Sequence, residues 1–236
     1  MIMSMVLTAH GSADPRSSAT THAVADQIRR IRPALDVRVA FCEKSAPNLR
    51  DVLSGLDRPA VVTPLLLASA YHARVDIPAM IADAGVDVLQ ADTLGEDPRL
   101  VQVLRHRLFE VTIDADQADI GVLVVAVGSS HTDANTGTAT LADALARGSR
   151  WAGVRVAYAT GPAPSIDDGI AELRELGAAR IAVAPWFISA GRITDRVAAI
   201  TSAAGIAMAQ PLGAHRLVAT TVLNRFDEAV AQRLAA

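Results

Sequence analysis

The stretch Met5-Val6-Leu7-Thr8-Ala9-His10-Gly11-Ser12 indicates the architecture of the whole chain, because its pattern returns at Leu123-Val124-Val125-Ala126-Val127-Gly128-Ser129. In both places an apolar run typical of a buried strand ends on Gly-Ser. This pair suits a tight turn at the carboxyl edge of a parallel strand, where backbone N–H groups face a ligand. The first copy has His10 at the turn, and the second has Val127. The difference indicates two similar halves, of which only the first keeps its chemistry.

The composition narrows the class of protein. Hydrophobic residues make up 51% of the 236 residues and aromatic residues only 3%, which favours helices packed on a parallel sheet rich in Val and Ile. A net charge of −3 without basic runs argues against nucleic acid as a partner. The single cysteine, Cys42, excludes an internal disulfide and suits a reducing compartment. With no secretory signal and no apolar run of ~18 residues, the sequence predicts a cytoplasmic protein without a membrane segment.

The order of strands and helices predicts an α/β fold of two tandem, similar lobes. Each lobe is expected to hold a doubly wound, four-stranded parallel sheet flanked by helices. The predicted lobes are residues 1–113 and 119–236, joined by the acidic, non-periodic segment Thr112–Asp119. Ser17 or Ser18 is the expected cap of the first helix.

Further repeated motifs support an internal duplication. The turn Ala46-Pro47-Asn48-Leu49 returns 117 residues later as Ala163-Pro164-Ser165-Ile166, and Leu94-Gly95 returns as Leu212-Gly213. Several matches in the same order along both halves are hard to obtain by chance.

Three side chains at predicted strand ends of the first half suggest a metal site. Ligands of open parallel sheets sit beyond the carboxyl ends of the strands, where His10, Glu43 and His72 are expected to converge. Two imidazoles and a carboxylate suit Fe²⁺, Co²⁺, Ni²⁺ or Zn²⁺, whereas Mg²⁺ and Ca²⁺ prefer more oxygen ligands. The second half has Val127, Thr160 and Ile193 (or Arg192, with one gap) at these positions, so no comparable site is expected there.

The motifs resemble those of the sirohydrochlorin chelatases, a class II chelatase family. The resemblance lies in Ala9-His10-Gly11-Ser12 with Asp14-Pro15, in the Glu43 to Pro47 turn, and above all in Tyr71-His72 through Asp76-Ile77-Pro78. It implies the long two-lobe, chelatase-like form with an active amino-terminal half. Such an enzyme inserts Fe²⁺ or Co²⁺ into a carboxylate-rich tetrapyrrole on the route to sirohaem or cobalamin. By this resemblance His10 and His72 bind the metal and accept protons, and Glu43 is their acidic partner.

Metal insertion sets the chemical requirements of the site. The macrocycle loses two pyrrolic protons as the dication enters, so bases with a pKa near neutrality must face the ring. His10 and His72 suit this task, with Glu43 holding the ion or accepting a relayed proton and with no covalent intermediate. The expected anchors for the substrate carboxylates are the backbone N–H groups at the two Gly-Ser turns together with two guanidinium groups. These residues are Gly11, Ser12, Gly128, Ser129, Arg74 and Arg192.

The remaining candidates have simpler interpretations. The other histidines, His22, His106, His131 and His215, are predicted to be structural or surface residues, with His131 close enough to the second Gly-Ser turn to be a substrate contact. Cys42 alternates with Glu43 and is predicted to pack in the core. Asp76 is predicted to cap the helix at Ile77-Pro78 or to orient His72.

Two other functions remain open at the level of sequence. A non-catalytic carrier of metal or tetrapyrrole would use the same histidines without turnover. Nucleotide binding is weaker, because the first turn lacks G-x-G-x-x-G and no Walker lysine follows it. We expect no tightly bound cofactor, Fe²⁺ favoured over Co²⁺ as the metal substrate, and a monomer, since two fused lobes can do what single lobes do by dimerising.

Overall fold

The computed structural model describes residues 3–68, 75–84, 87–130 and 132–235, and it confirms two four-stranded, all-parallel sheets. The strands are β1 (Ser4–Ala9), β2 (Val37–Phe41), β3 (Ala60–Pro64), β4 (Val88–Gln90), β5 (Ile120–Ala126), β6 (Gly153–Tyr158), β7 (Arg180–Pro185) and β8 (Ala207–Met208). The strand order is β2-β1-β3-β4 in the first sheet and β6-β5-β7-β8 in the second. In each sheet the first strand of the repeat lies between the next two, so the chain extends the sheet first on one side of that strand and then on the other.

The helices flank the sheets and alternate with the strands, except that two helices follow β5. They are α1 (Pro15–Ile31), α2 (Leu49–Ser54), α3 (Ile77–Ala82), α4 (Pro98–Glu110), α5 (Thr132–Ala139), α6 (Leu141–Ala146), α7 (Ile166–Glu175), α8 (Arg192–Ala203) and α9 (Arg216–Ala235). Among the residues that the structure describes, no helix is long and apolar enough to cross a membrane.

The central strands β1 and β5 are buried along their whole length. Both faces of such a strand are covered, which explains why the sequence shows continuous apolar runs instead of alternation. In the first sheet, Val6 and Val62 pack with Leu49 and Leu53 of α2. In the second sheet, Leu123 and its neighbours pack against α7 in the same manner.

Helix α1 begins earlier than predicted, at Pro15, and its cap is Asp14 instead of Ser17 or Ser18. The Asp14 side chain accepts a hydrogen bond from the Arg16 N–H at 3.0 Å. Pro15 at the first helical position needs no partner for an amide hydrogen and has a φ suited to a helix. The Asp-Pro pair therefore outcompetes the serines, which lie within the first turn.

The two compact units do not coincide with the two sequence repeats. One unit is Met1–Gly95 with Ala214–Ala236, and the other is Glu96–Gly213, so the predicted lobe ranges 1–113 and 119–236 describe the repeats alone. The last helix of each repeat is exchanged between the units, so that it packs on the sheet of the other repeat. Helix α4 packs on β7 and α6, while α9 packs on α1 and β3.

Polar contacts fix each exchanged helix in its unit. In the first unit, Arg32 pairs with Asp227 of α9 through bonds of 2.6 and 2.7 Å. In the second, Arg105 of α4 donates to the Leu145 carbonyl at 2.7 Å. The chain leaves each unit directly after a left-handed glycine, Gly95 (φ +61°) or Gly213 (φ +64°), a conformation in which glycine has no steric penalty.

Candidate metal site

His10 follows β1, the strand at which the order of the first sheet reverses. In an open parallel sheet, ligands bind at this reversal, beyond the carboxyl ends of the strands. Gly11 continues the turn with φ +93°, and a Cβ atom built there would lie 1.7 Å from the carbonyl oxygen of Glu43. Only glycine allows this close approach, which brings the residues after β1 against those after β2.

The close approach brings His10 and Glu43 together. The Glu43 N–H donates to the His10 carbonyl at 3.0 Å, and the His10 Nε2 atom lies 3.2 Å from Glu43 Oε1. Both side chains are partly exposed, at 39% and 43%. The structure thus places a nitrogen and an oxygen atom that can ligate a metal side by side at the predicted end of the sheet.

Lys44 completes this arrangement, and the sequence interpretation missed it. Its Nζ atom lies 2.7 Å from the same Oε1 atom of Glu43, and its backbone is left-handed with φ +58°. At this distance the ammonium and the carboxylate form an ion pair. A lysine that follows a candidate ligand in the sequence does not by itself indicate such a contact. The sequence does not show that the turn directs the lysine side chain back to Glu43.

The rest of the predicted metal site lies outside the described residues. His72 and Arg74 belong to the segment 69–74, so the structure does not test their roles. Within residues 3–68, 75–84, 87–130 and 132–235, no group of three His, Cys, Asp or Glu side chains could hold a metal ion. The three-residue site of His10, Glu43 and His72 therefore stays a prediction, of which the structure shows one pair.

The Ser amides of both Gly-Ser turns already have partners in the protein. The Ser12 N–H donates to Ser45 Oγ at 3.1 Å, and Ser45 Oγ donates back to the Ser12 carbonyl at 2.9 Å. In the second repeat, the Ser129 N–H donates to Asn135 Oδ1 at 2.9 Å. These bonds brace the turns, so the predicted anchoring of carboxylates at Gly11-Ser12 and Gly128-Ser129 would depend on other groups of the turns.

The second repeat has the same turn without ionisable side chains. Val127, at the position of His10, is 40% exposed, and Gly128 has φ +90°. Thr160, at the position of Glu43, donates its hydroxyl to the Val127 carbonyl at 2.7 Å. Arg192 is the exposed first residue of α8, and its predicted contact with a substrate carboxylate stays a prediction.

Cys42 belongs to the core, as predicted. It packs with Leu49 and Ile77 and is only 6% exposed. Burial, followed by the charges of Asp76 and Glu43, raises the pKa of its thiol to about 11. The thiol is therefore protonated at neutral pH and is a poor metal ligand.

The expected cap of α3 does not form. Asp76 stands at the N-cap position, but its backbone is helical (φ −70°, ψ −47°), and within the described part of the chain its side chain makes no capping bond. Capping requires an extended backbone that directs the side chain to the first-turn amides. The alternative role of Asp76, orienting His72, concerns a residue outside the described ranges.

The other histidines have structural surroundings where they are described. His215 Nδ1 accepts the Leu217 N–H at 3.1 Å at the start of α9. The His22 ring meets the Phe41 ring edge-on, with centroids 6.1 Å apart. His106 is exposed on α4, and His131 lies outside the described residues.

Comparisons with known proteins agree with the duplicated architecture. A family model described as CbiX matches residues 4–111 and, a second time, residues 121–229. A sirohydrochlorin cobaltochelatase from Priestia megaterium is 26% identical over 208 residues, which cover 82% of this chain and 67% of that protein. A sirohydrochlorin ferrochelatase from the same organism is 28% identical over 183 residues, covering 72% of this chain and 68% of that protein. The solved structure of SirB from Bacillus subtilis with Fe³⁺ shares the fold, with a TM-score of 0.85 and 20% identity over 100% of this chain and 98% of that one.

Proposed function

Because the chain belongs to the CbiX family, we propose that it is a sirohydrochlorin chelatase that inserts Fe²⁺ into sirohydrochlorin, with Co²⁺ as the alternative metal. The observation that carries this proposal is the pairing of His10 Nε2 with Glu43 Oε1, 3.2 Å apart, beyond the carboxyl ends of β1 and β2. An imidazole and a carboxylate are donors that Fe²⁺ and Co²⁺ both accept, so the donor set itself does not select between the two metals.

The pair supplies what insertion requires. The free macrocycle exchanges two N–H protons for one dication, and a neutral imidazole takes up such a proton near neutral pH. Glu43 stabilises the imidazolium that His10 becomes, since a carboxylate next to a protonated ring favours the charged form. In the same proposal, His72 is the second base and metal ligand.

The direct test is anaerobic incubation of the purified protein with sirohydrochlorin and either Fe²⁺ or Co²⁺, followed by absorbance. We expect insertion faster than the uncatalysed reaction, with the ratio of kcat/KM for the two metals defining the preference. Rates equal to the uncatalysed ones for both metals, together with binding of the tetrapyrrole, would instead identify a carrier.

Arg192 is proposed as a contact for a substrate carboxylate. An exposed guanidinium binds a carboxylate through two parallel hydrogen bonds. Arg192→Ala is expected to raise the KM for sirohydrochlorin several-fold and to leave Co²⁺ affinity unchanged. Arg196 lies in the same helix as Arg192 but donates to the Ala159 carbonyl, so Arg196→Ala provides the matched control. An unchanged KM in the Arg192 variant would remove this residue from the site.

A further inference from the structure

Lys44 holds the same carboxylate oxygen that the metal would use. Glu43 Oε1 lies 2.7 Å from Lys44 Nζ and 3.2 Å from His10 Nε2. A dication that binds between His10 Nε2 and Glu43 Oε1 must therefore share this oxygen with the ammonium or displace the ammonium from it. In either case the ion lies near the positive charge of Lys44, and like charges at this range repel.

The backbone conformation at residue 44 indicates that the geometry of the turn does not require a lysine. Its φ of +58° lies in the left-handed region, and the equivalent position of the second repeat, Gly161, has φ +71°. Glycine adopts this conformation without a steric penalty, whereas a residue with a Cβ atom incurs one. Glycine would therefore serve the left-handed φ at position 44 at least as well as lysine does. The side chain of Lys44, 58% exposed, reaches only the neighbouring Glu43 among the contacts described for it.

We propose that Lys44 lowers the affinity of this site for its metal, so that the ion is passed to the macrocycle instead of being retained. The inference rests on the proposed function, because it takes Glu43 as a metal ligand. A site that delivers an ion must bind it strongly enough to collect it and weakly enough to release it. The ammonium shifts this balance towards release, because it competes for Oε1 and repels the dication. Lys44 acts through Glu43 and is therefore a positioning residue.

The test compares Co²⁺ binding by calorimetry in the wild type, Lys44→Met, Lys44→Gly and Lys44→Arg, all as the full chain without tetrapyrrole. We expect the Met and Gly variants to bind Co²⁺ about three- to tenfold more tightly and to release it correspondingly more slowly to excess EDTA. Lys44→Arg keeps the charge and is expected to bind like the wild type. The difference between Met and wild type should shrink in 1 M salt, where charges are screened beyond about 3 Å.

Two controls separate the charge from the turn. Lys44→Gly is expected to leave the thermal midpoint unchanged or to raise it, so tighter binding by this variant cannot come from a damaged turn. Gly161→Lys places the same residue in the equivalent turn, where a Cβ atom meets no neighbour within 4 Å, and it should not change Co²⁺ affinity.

The outcomes distinguish this proposal from the proposed function. If Glu43→Gln weakens Co²⁺ binding while Lys44→Met binds like the wild type or less tightly, the role of Lys44 is overturned and the chelatase proposal stands. If Glu43→Gln leaves Co²⁺ binding unchanged, Glu43 is not a ligand and the role of Lys44 is overturned, whereas the insertion assay with sirohydrochlorin decides the chelatase proposal separately. Salt-independent tightening in Lys44→Met would also overturn the electrostatic role.

Discussion

The turns after β1 and β5 have nearly the same backbone and different chemistry. Gly11 and Gly128 have φ of +93° and +90°, and each turn is closed by a 3.0 Å bond from the N–H of residue 43 or 160 to the carbonyl of residue 10 or 127. The first turn presents an imidazole and a carboxylate, and the second presents an isopropyl group and a hydroxyl. A duplicated fold thus keeps the glycine that its packing needs, while the partly exposed side chains, which packing constrains little, are free to differ.

Removing the glycine should break both turns, and the first more severely. A Cβ atom at Gly11 would lie 1.7 Å from the Glu43 carbonyl oxygen, and one at Gly128 would lie 2.3 Å from the Gly161 carbonyl oxygen. We expect Gly11→Ala to lower the free energy of unfolding by about 3 kcal/mol or more, because backbone must move and φ is left-handed. Gly128→Ala should cost less. Chemical denaturation measures both, and equal losses would contradict this ranking.

His10→Ala tests the chemical difference between the turns without touching the glycine. We expect the rate of metal insertion at limiting metal to fall by about 100-fold or more, the usual contribution of a positioned base. Val127→Ala is the matched control, because Val127 occupies the same position and is 40% exposed, and it should insert metal at the wild-type rate. Wild-type insertion by His10→Ala would remove this histidine from the reaction.

The N-caps of α2 and α7, each of which follows a cis Ala-Pro bond, offer a comparison with a smaller expected effect. Asn48 caps α2 and also donates to the Cys42 carbonyl at 3.2 Å, whereas Ser165 caps α7 in a reciprocal capping box with Asp168. Each substitution to Ala should lower the free energy of unfolding by about 1 kcal/mol. Asn48→Ala should also reduce Co²⁺ affinity, because Asn48 braces the segment before Glu43. Unchanged Co²⁺ affinity would show that the hydrogen bond of Asn48 is not needed to position the Glu43 backbone.

The smallest effect is expected where the chain passes between the units. Gly95 is followed by Glu96, and the equivalent Gly213 by Ala214. Burial raises the pKa of Glu96, whose Oε1 atom lies 3.4 Å from Thr138 Oγ1. The folded state therefore binds its proton more tightly than the unfolded state, and stability should fall as pH rises from about 4.5, the ordinary value, through the raised pKa.

Glu96→Gln should remove this pH dependence. The variant is expected to be slightly more stable than the wild type at pH 7, and the advantage should disappear at pH 4, where the wild-type carboxyl is protonated. Thermal midpoints at the two pH values measure this difference. An advantage of the same size at both pH values would show that the carboxylate charge is not its cause.

Several features of the protein follow from short stretches of its sequence alone. Apolar runs specify the strands, the Gly-Ser turns specify where β1 and β5 end, and the repeated motifs reveal the duplication, which the two matches to one family model confirm. The ends of neighbouring parallel strands lie at one edge of the sheet, so the meeting of His10 and Glu43 followed from topology.

Three features depend on how the whole chain packs: the exchange of α4 and α9 between the units, the contact of Lys44 with Glu43, and the hydrogen bond from the Ser12 N–H to Ser45. The apolar faces of two helices from similar repeats fit similar sheets, so periodicity shows that a helix is buried without showing on which sheet. Contacts within a turn depend on dihedral angles, such as the left-handed φ of Lys44, that side-chain type alone does not reveal.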